Sequence, residues 1–208
     1  MPQKPSSSAQ KSRLVVGISG ASGAAIGIRL LEAISDLGLE SHLVVTKAGE
    51  MTIGYETDLN PKQVFAKADY HYAIGDIAAP IASGSFKVQG MIVAPCSVKT
   101  MSEIATGVTT SLLTRAADVQ LKERRPLILM VREAPLHLGH LRTMTQLAEM
   151  GAIILPPVPA FYANPKSVSD IIDQLTGRTL DLLGYDWPDL KRWGEDLTKG
   201  RRTRKQKP

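Results

Sequence analysis

Three short stretches of the chain carry groups that suit the binding of an anion. The first is a glycine-rich turn over residues 17–23 that leads into a predicted helix. The second is the polar run 97–100, and the third is the charged pair Arg132-Glu133. Backbone N–H groups at the start of a helix favour a negative charge, so the glycine-rich turn predicts a phosphate ligand.

Each stretch directly follows an apolar run that is typical of a buried strand. The predicted strands are Arg13–Ile18, Ser41–Thr46, Met91–Ala94, Leu127–Val131 and Ala152–Leu155. Helical periodicity separates them, as in Ile26, Leu30 and Ile34 before Gly38. This alternation predicts an α/β fold with three αβα layers and a doubly wound, mostly parallel sheet, similar to Rossmann and flavodoxin folds. The carboxyl ends of its strands meet at one edge, where ligands bind.

The glycine spacing and the second strand favour a mononucleotide over a dinucleotide. An NAD site usually combines G-x-G-x-x-G with an acidic residue at the end of the second strand. Here the turn reads Gly17-x-x-Gly20-x-x-Gly23, and the second strand ends in Thr46-Lys47. A mononucleotide with a phosphate therefore suits these residues better than NAD.

Length and composition predict one domain over residues 13–195, between a disordered N-terminal tail (1–12) and a basic C-terminal tail (196–208). The net charge of +5 arises in the tails, because residues 199–208 carry six basic and no acidic side chains. We therefore expect no nucleic-acid partner. No run approaches the ~20 apolar residues of a membrane span. The single cysteine, Cys96, fits a reducing, cytoplasmic location.

Three other groups of residues have a structural interpretation that we favour over a chemical one. His137 and His140 have a spacing that can bind a metal, but no third ligand is evident. Asp170 and Asp173 resemble half of a magnesium motif, although acids in the first turn of a helix simply stabilise it. Cys96 follows a buried strand and is predicted to be a packed thiol. We predict no metal site.

An ordered series of short motifs runs along the folded part of the chain. The motifs are Gly20-Ala21-Ser22-Gly23, Glu56-Thr57, Ala82-Ser83-Gly84-Ser85, Pro95-Cys96-Ser97, Arg115-Ala116-Ala117-Asp118, Leu121-Lys122-Glu123-Arg124, Arg132-Glu133-x-Pro135-Leu136 and Pro159-x-Phe161-Tyr162. In this series the chain resembles the flavin prenyltransferase family, bacterial enzymes that make prenylated FMN for decarboxylases, including those of ubiquinone biosynthesis. The resemblance covers roughly residues 13–195.

The resemblance implies a reaction, a cofactor and partners. A dimethylallyl group moves from dimethylallyl monophosphate to N5 of reduced FMN, and a second bond to C6 closes a ring. No metal takes part. The product passes to a prenylated-FMN-dependent decarboxylase, and the enzyme assembles as a homo-oligomer, a dodecamer.

The resemblance also implies roles for individual residues. The implied FMN contacts are Gly20, Ala21, Ser22, Thr46, Ser97, Val98, Lys99, Thr100 and Arg132. The implied prenyl-phosphate contacts are Tyr162, Arg178, Lys122 and Arg115, and the implied pocket residues are Ala82, Ser83, Gly84 and Trp193. Some of the site residues reach it from a neighbouring subunit. For catalysis we expect Glu133 as general base, Ser22 as a hydrogen-bonding relay near N5, and Glu56 beside them.

The chain also departs from the family pattern, and other readings of it remain open. Thr110-Ser111 stands where relatives commonly carry Asp or Asn, and Ile77 replaces an aromatic residue. Trp193 either closes over the site or anchors the last helix. One alternative function is an FMN-dependent decarboxylase of the cysteine-decarboxylase type, but the histidine base that it needs does not follow the glycine turn. Another is a non-catalytic FMN-binding subunit of a decarboxylase.

Overall fold

The computed structural model describes residues 11–188 and 190–194, which fall into two compact units, one ending at Pro157 and one beginning at Val158. Apart from Lys11 and Ser12, the two predicted tails lie outside the described residues. Within the described ranges, none of the helices combines the length and the apolar character that crossing a bilayer requires.

The first unit contains a six-stranded sheet in which every neighbouring pair of strands is parallel. Its strands are β1 (Arg13–Ile18), β2 (Glu40–Val45), β3 (Tyr70–Tyr72), β4 (Gly90–Cys96), β5 (Leu127–Val131) and β6 (Ile153–Ile154). The order across the sheet is β3-β2-β1-β4-β5-β6, so β2 and β3 lie on one side of β1 and the later strands lie on the other, with the topological switch point between β1 and β4. The predicted doubly wound parallel sheet is confirmed.

The helices of this unit cover both faces of the sheet. They are α1 (Ala24–Asp36), α2 (Lys47–Glu56), α3 (Pro61–Phe65), α4 (Val98–Thr106), α5 (Leu112–Lys122) and α6 (Leu138–Glu149). Val15 and Val93 share a core with residues of α4, α5 and α6, such as Leu113. Because side chains alternate along a strand, Leu14 and Ile92 point to the opposite face, where α1 contacts β1 and β4. The predicted three layers are confirmed.

Side-chain hydroxyls begin three of the helices directly after a strand or turn. Thr46 caps α2 and Ser97 caps α4, each accepting a hydrogen bond from a backbone N–H in the first turn. Ser111 caps α5 in the same way. Such caps fix where a helix begins. The N-termini of α2 and α4 therefore lie at the carboxyl ends of β2 and β4.

The second unit contains α7 (Val168–Asp181) and a short 3-10 turn at Phe161–Ala163. The Ser167 hydroxyl accepts a hydrogen bond from the N–H of Asp170 at 3.1 Å and donates one to its carboxylate at 2.8 Å. The N–H of Lys166 donates to the other carboxylate oxygen at 2.7 Å. Ser167 and Asp170 therefore form a capping pair at the start of α7, and Asp170 has the helix-stabilising role that we favoured.

Candidate functional site

A cleft of about 660 Å³ opens at the carboxyl edge of the sheet. All nine residues that the resemblance implies as FMN contacts line it. They are Gly20, Ala21, Ser22, Thr46, Ser97, Val98, Lys99, Thr100 and Arg132. Glu133 lines the same cleft. These residues follow β1, β2, β4 and β5, so the parallel sheet brings together stretches that are far apart in the sequence.

Ser19 ties the two central loops of the cleft together. Its side chain is fully buried. The hydroxyl donates to the carbonyl oxygen of Pro95 at 2.9 Å and accepts from the N–H of Ser97 at 2.7 Å. The turn after β1 is therefore fixed against the turn after β4. Ser19 was not among the predicted site residues, although a hydroxyl residue between a buried strand and a glycine-rich turn is a usable signal.

Two glycines shape the turn after β1. Gly23 precedes α1 with φ of +114°, a conformation that strains residues with a side chain. A Cβ atom on Gly20 would lie 2.3 Å from the Cβ atom of Ala48. The turn can therefore lie directly against the start of α2 only because Gly20 has no side chain.

Glu56 supplies the negative charge at the N-terminus of α1. Its Oε2 accepts hydrogen bonds from the N–H groups of Gly23 at 2.8 Å and Ala24 at 3.1 Å. Burial alone would raise the pKa of Glu56, but hydrogen bonds from the Ser22 hydroxyl and these two N–H groups outweigh it and lower the pKa below its usual value. Glu56 itself does not line the cleft, but it accepts a hydrogen bond from Ser22, which does line it.

Backbone N–H groups for an anion in the cleft are available at the start of α4. Those of Gly23 and Ala24 are already paired with Glu56. The first N–H groups of a helix have no partner within it. At α4 these belong to Val98 and Lys99, and both residues line the cleft.

Charged side chains of both signs line the cleft. Lys99 Nζ lies 2.6 Å from Glu103 Oε1, and the Thr110 hydroxyl donates to the same oxygen at 3.2 Å. Thr110 thus contributes a hydroxyl contact and Ser111 a helix cap. Glu103 was not among the predicted site residues, and its only signal in the sequence is its i,i+4 spacing from Lys99.

A second group of predicted residues lies around the loop 82–86, and none of it lines the cleft of the same chain. Arg115 Nε donates to the carbonyl oxygen of Ala82 at 3.2 Å. Arg125 donates to those of Gly84 at 2.6 Å and Phe86 at 2.9 Å. A Cβ atom on Gly84 would lie 2.7 Å from Lys122 Nζ. We call Ala82, Ser83, Gly84, Arg115 and Lys122 the loop cluster.

The remaining predicted contacts belong to the second unit. The rings of Tyr162 and Trp193 meet edge to face, with centroids 5.4 Å apart. Arg178 forms an ion pair with Asp181 on α7. Ile77 lies in the first unit and is exposed.

The structural interpretations of Cys96 and His137 agree with the structure. Cys96 is fully buried, and burial raises the pKa of its thiol to about 12. Such a thiol is a packed side chain and not a nucleophile. His137 Nδ1 accepts hydrogen bonds from the N–H groups of Gly139 and His140 and so caps α6. Within the described residues, no three His, Cys, Asp or Glu side chains are grouped as metal ligands.

Comparison with known proteins places these features in a family. The family model described as Flavoprotein matches residues 2–180. The flavin prenyltransferase UbiX of Escherichia coli is 55% identical over 184 residues, which cover 87% of this chain and 97% of the relative. The crystal structure of AnUbiX in complex with FMN and dimethylallyl pyrophosphate superposes with a TM-score of 0.87 at 51% identity, covering 88% of this chain and 98% of that one.

A second solved structure supports the same grouping. It is a dodecameric FMN-dependent UbiX-like decarboxylase from Escherichia coli, with a TM-score of 0.85 and 45% identity, covering 87% of this chain and 98% of that one. The residues that the family model matches include all those that line the cleft and most of α7. The chain therefore belongs to the Flavoprotein family and, within it, to the flavin prenyltransferases.

Proposed function

We propose that this chain joins the dimethylallyl group of dimethylallyl monophosphate to N5 and C6 of reduced FMN. The observation that carries the proposal is the meeting of all nine expected FMN contacts in one cleft. Its volume of about 660 Å³ lies in the range of cofactor sites. A relative that is 51% identical was crystallised with FMN and dimethylallyl pyrophosphate.

The residues of the cleft fit a flavin mononucleotide. The start of α4, with Ser97, Val98 and Lys99, offers a hydroxyl, backbone N–H groups and a charge to its phosphate. Arg132 adds a further positive charge in the cleft. When bound, reduced FMN supplies the nucleophilic atoms of the reaction.

Residues of this chain are placed to accept and transfer the proton that is lost on ring closure. Ser22 donates a hydrogen bond to Glu56, whose lowered pKa keeps it ionised at neutral pH. The ionised Glu56 carboxylate can therefore accept the hydroxyl proton of Ser22, so the two side chains are suited to relay a proton. Glu133, which lines the cleft with Arg132, is the proposed general base for the proton lost on ring closure.

The prenyl phosphate is the leaving group, and its growing charge needs cations. We assign this role to Arg178, Arg115 and Lys122, with the Tyr162 hydroxyl. The loop cluster does not line the cleft of its own chain, so we assign it to the cleft of a neighbouring subunit in a dodecamer. A relative of 45% identity is described as dodecameric, which supports this assignment.

Anaerobic incubation of the purified protein with reduced FMN and dimethylallyl monophosphate tests the function, with mass spectrometry of the extracted flavin. We expect prenylated FMN. A parallel reaction with the diphosphate determines which donor is used, since the structure of the relative contained the diphosphate. Unmodified flavin with both donors would contradict the proposal.

The same experiment separates the alternatives. A cysteine-type decarboxylase would release carbon dioxide from a peptidyl or pantothenoyl cysteine, and a non-catalytic subunit would bind FMN without altering it. Of the residues described as lining the cleft, none is a histidine, which favours the prenyltransferase. We further assign to this enzyme a prenylated-FMN-dependent decarboxylase as recipient of the product, on the basis of the sequence resemblance, and a cytoplasmic location, on the basis of its composition and single cysteine.

A further inference from the structure

Arg178 is held by a small network of charged side chains in the second unit, and the network is centred on Asp181. Arg178 Nη1 donates to Asp181 Oδ2 from one turn earlier on α7. Arg192 Nη2 lies 2.7 Å from the other carboxylate oxygen, Oδ1. The two oxygens of Asp181 therefore each have a guanidinium partner.

Asp181 is the best shielded member of the network. Its side chain is 18% exposed, against 53% for Arg178 and 34% for Arg192. An isolated, exposed ion pair contributes little because water screens it and both side chains lose freedom. Here the carboxylate is also held by a second guanidinium, that of Arg192. Hydrogen bonds from Arg192 and then from Arg178 also hold the pKa of Asp181 below its usual value, so the carboxylate stays ionised.

A preorganised guanidinium is useful where a phosphate must be bound in one orientation. A free arginine side chain has many rotamers, and its freedom is lost when it binds a ligand. An arginine already held at one N–H by a carboxylate has less to lose and keeps its other N–H groups for the phosphate.

We propose that Asp181, held in turn by Arg192, is a positioning residue that orients Arg178 toward the phosphate of the prenyl donor. The inference rests on the proposed function, in which Arg178 contacts that phosphate. Asp181 does not itself touch the substrate in this scheme, so its removal acts only through Arg178.

The Asp181→Asn variant tests the proposal, with Asp186→Asn as a matched control. Asp186 Oδ1 lies 3.5 Å from the same Arg192 nitrogen, and its side chain is fully exposed. We expect Asp181→Asn to raise the KM for dimethylallyl monophosphate by roughly tenfold, with a smaller change in kcat. The Kd for FMN should stay at the wild-type value in both variants, and Asp186→Asn should retain the wild-type KM. Asp181→Glu should restore part of the affinity.

Variants of Arg178 separate this proposal from the function on which it rests. If Asp181 acts through Arg178, the double variant Asp181→Asn/Arg178→Lys should be no worse than Arg178→Lys alone. Additive losses in the double variant would overturn the positioning role of Asp181 and leave the phosphate contact of Arg178 intact. The same conclusion would follow if Asp181→Asn had an unchanged KM while Arg178→Lys had a raised one. An unchanged KM in Arg178→Lys would overturn both. Should Asp181→Asn fail to fold, Arg192→Lys takes its place in the same cycle, with the same outcomes.

Discussion

The most informative single side chain of the first unit is Glu56, because it caps the N-terminus of α1 from a position that is remote in the sequence. Its carboxylate lies 33 positions along the chain from Gly23, whose N–H it accepts. The sequence predicts that an external phosphate binds at the N-terminus of α1. In the structure, the Glu56 carboxylate accepts two of the N–H groups there. Spacing along the chain cannot reveal such a contact, since it depends on how α2 packs against α1.

We expect Glu56→Gln to destabilise the protein by about 0.5–1 kcal/mol at neutral pH, because the amide accepts the same N–H groups without a charge. The pKa of Glu56 lies below its ordinary value of 4.5 in the folded protein. This stabilisation is therefore present above that pH and is lost as the pH falls through the lowered pKa. Thermal unfolding at neutral and acidic pH measures it.

The comparison with wild type needs a second glutamate variant. Glu149→Gln removes an exposed carboxylate from the C-terminal end of α6, away from the N-terminus of that helix. The gap between wild type and Glu56→Gln should close in acid, whereas Glu149→Gln should follow wild type throughout. A gap of equal size at both pH values would show that the carboxylate charge has no part in the effect.

At the scale of elements, the strands were the easiest to predict. Arg13–Ile18 and Leu127–Val131 are observed at the predicted bounds, because runs buried on both faces stand out from polar loops. The prediction missed β3, since Tyr70–Tyr72 is a three-residue edge strand with two of its residues exposed. The position of the cleft could be predicted from the ends of the strands. The roles of Ser19 and Glu103 could not, because they depend on contacts between side chains that the periodicity of the sequence does not reveal.

The space around two helical glycines predicts opposite effects on stability when each is replaced by alanine. A Cβ atom on Gly27 would lie 2.2 Å from the carbonyl oxygen of Ala94 and 2.9 Å from Ile18 Cγ1. Gly54, in α2, has nothing within 4 Å of the same position. We expect Gly27→Ala to destabilise the protein by about 1–3 kcal/mol. Gly54→Ala should stabilise it by about 0.4–1 kcal/mol.

Midpoints of thermal unfolding, compared at one protein concentration, measure both glycine effects. Each variant serves as the control for the other, since both replace a helical glycine with alanine. A Gly27→Ala protein with the wild-type midpoint would mean that α1 is free to move away from β4.

For the whole molecule, the separation of the loop cluster from the cleft makes assembly a requirement of the proposed reaction. We expect a particle of about 270 kDa in analytical ultracentrifugation, twelve times the chain mass of 22.5 kDa. Dilution below the assembly concentration should abolish prenyl transfer, because a lone subunit lacks Arg115 and Lys122 beside its cleft. Full specific activity in a monomeric fraction would contradict the shared site.

The burial of Cys96 has a practical consequence for spectroscopy. It is the only cysteine of the chain, and its thiol is both inaccessible and protonated at neutral pH. A cysteine introduced on an exposed position of either unit would then be the sole group to react with a maleimide dye or a nitroxide. Pairs of such labels could report the separation of the two units in solution without any background substitution.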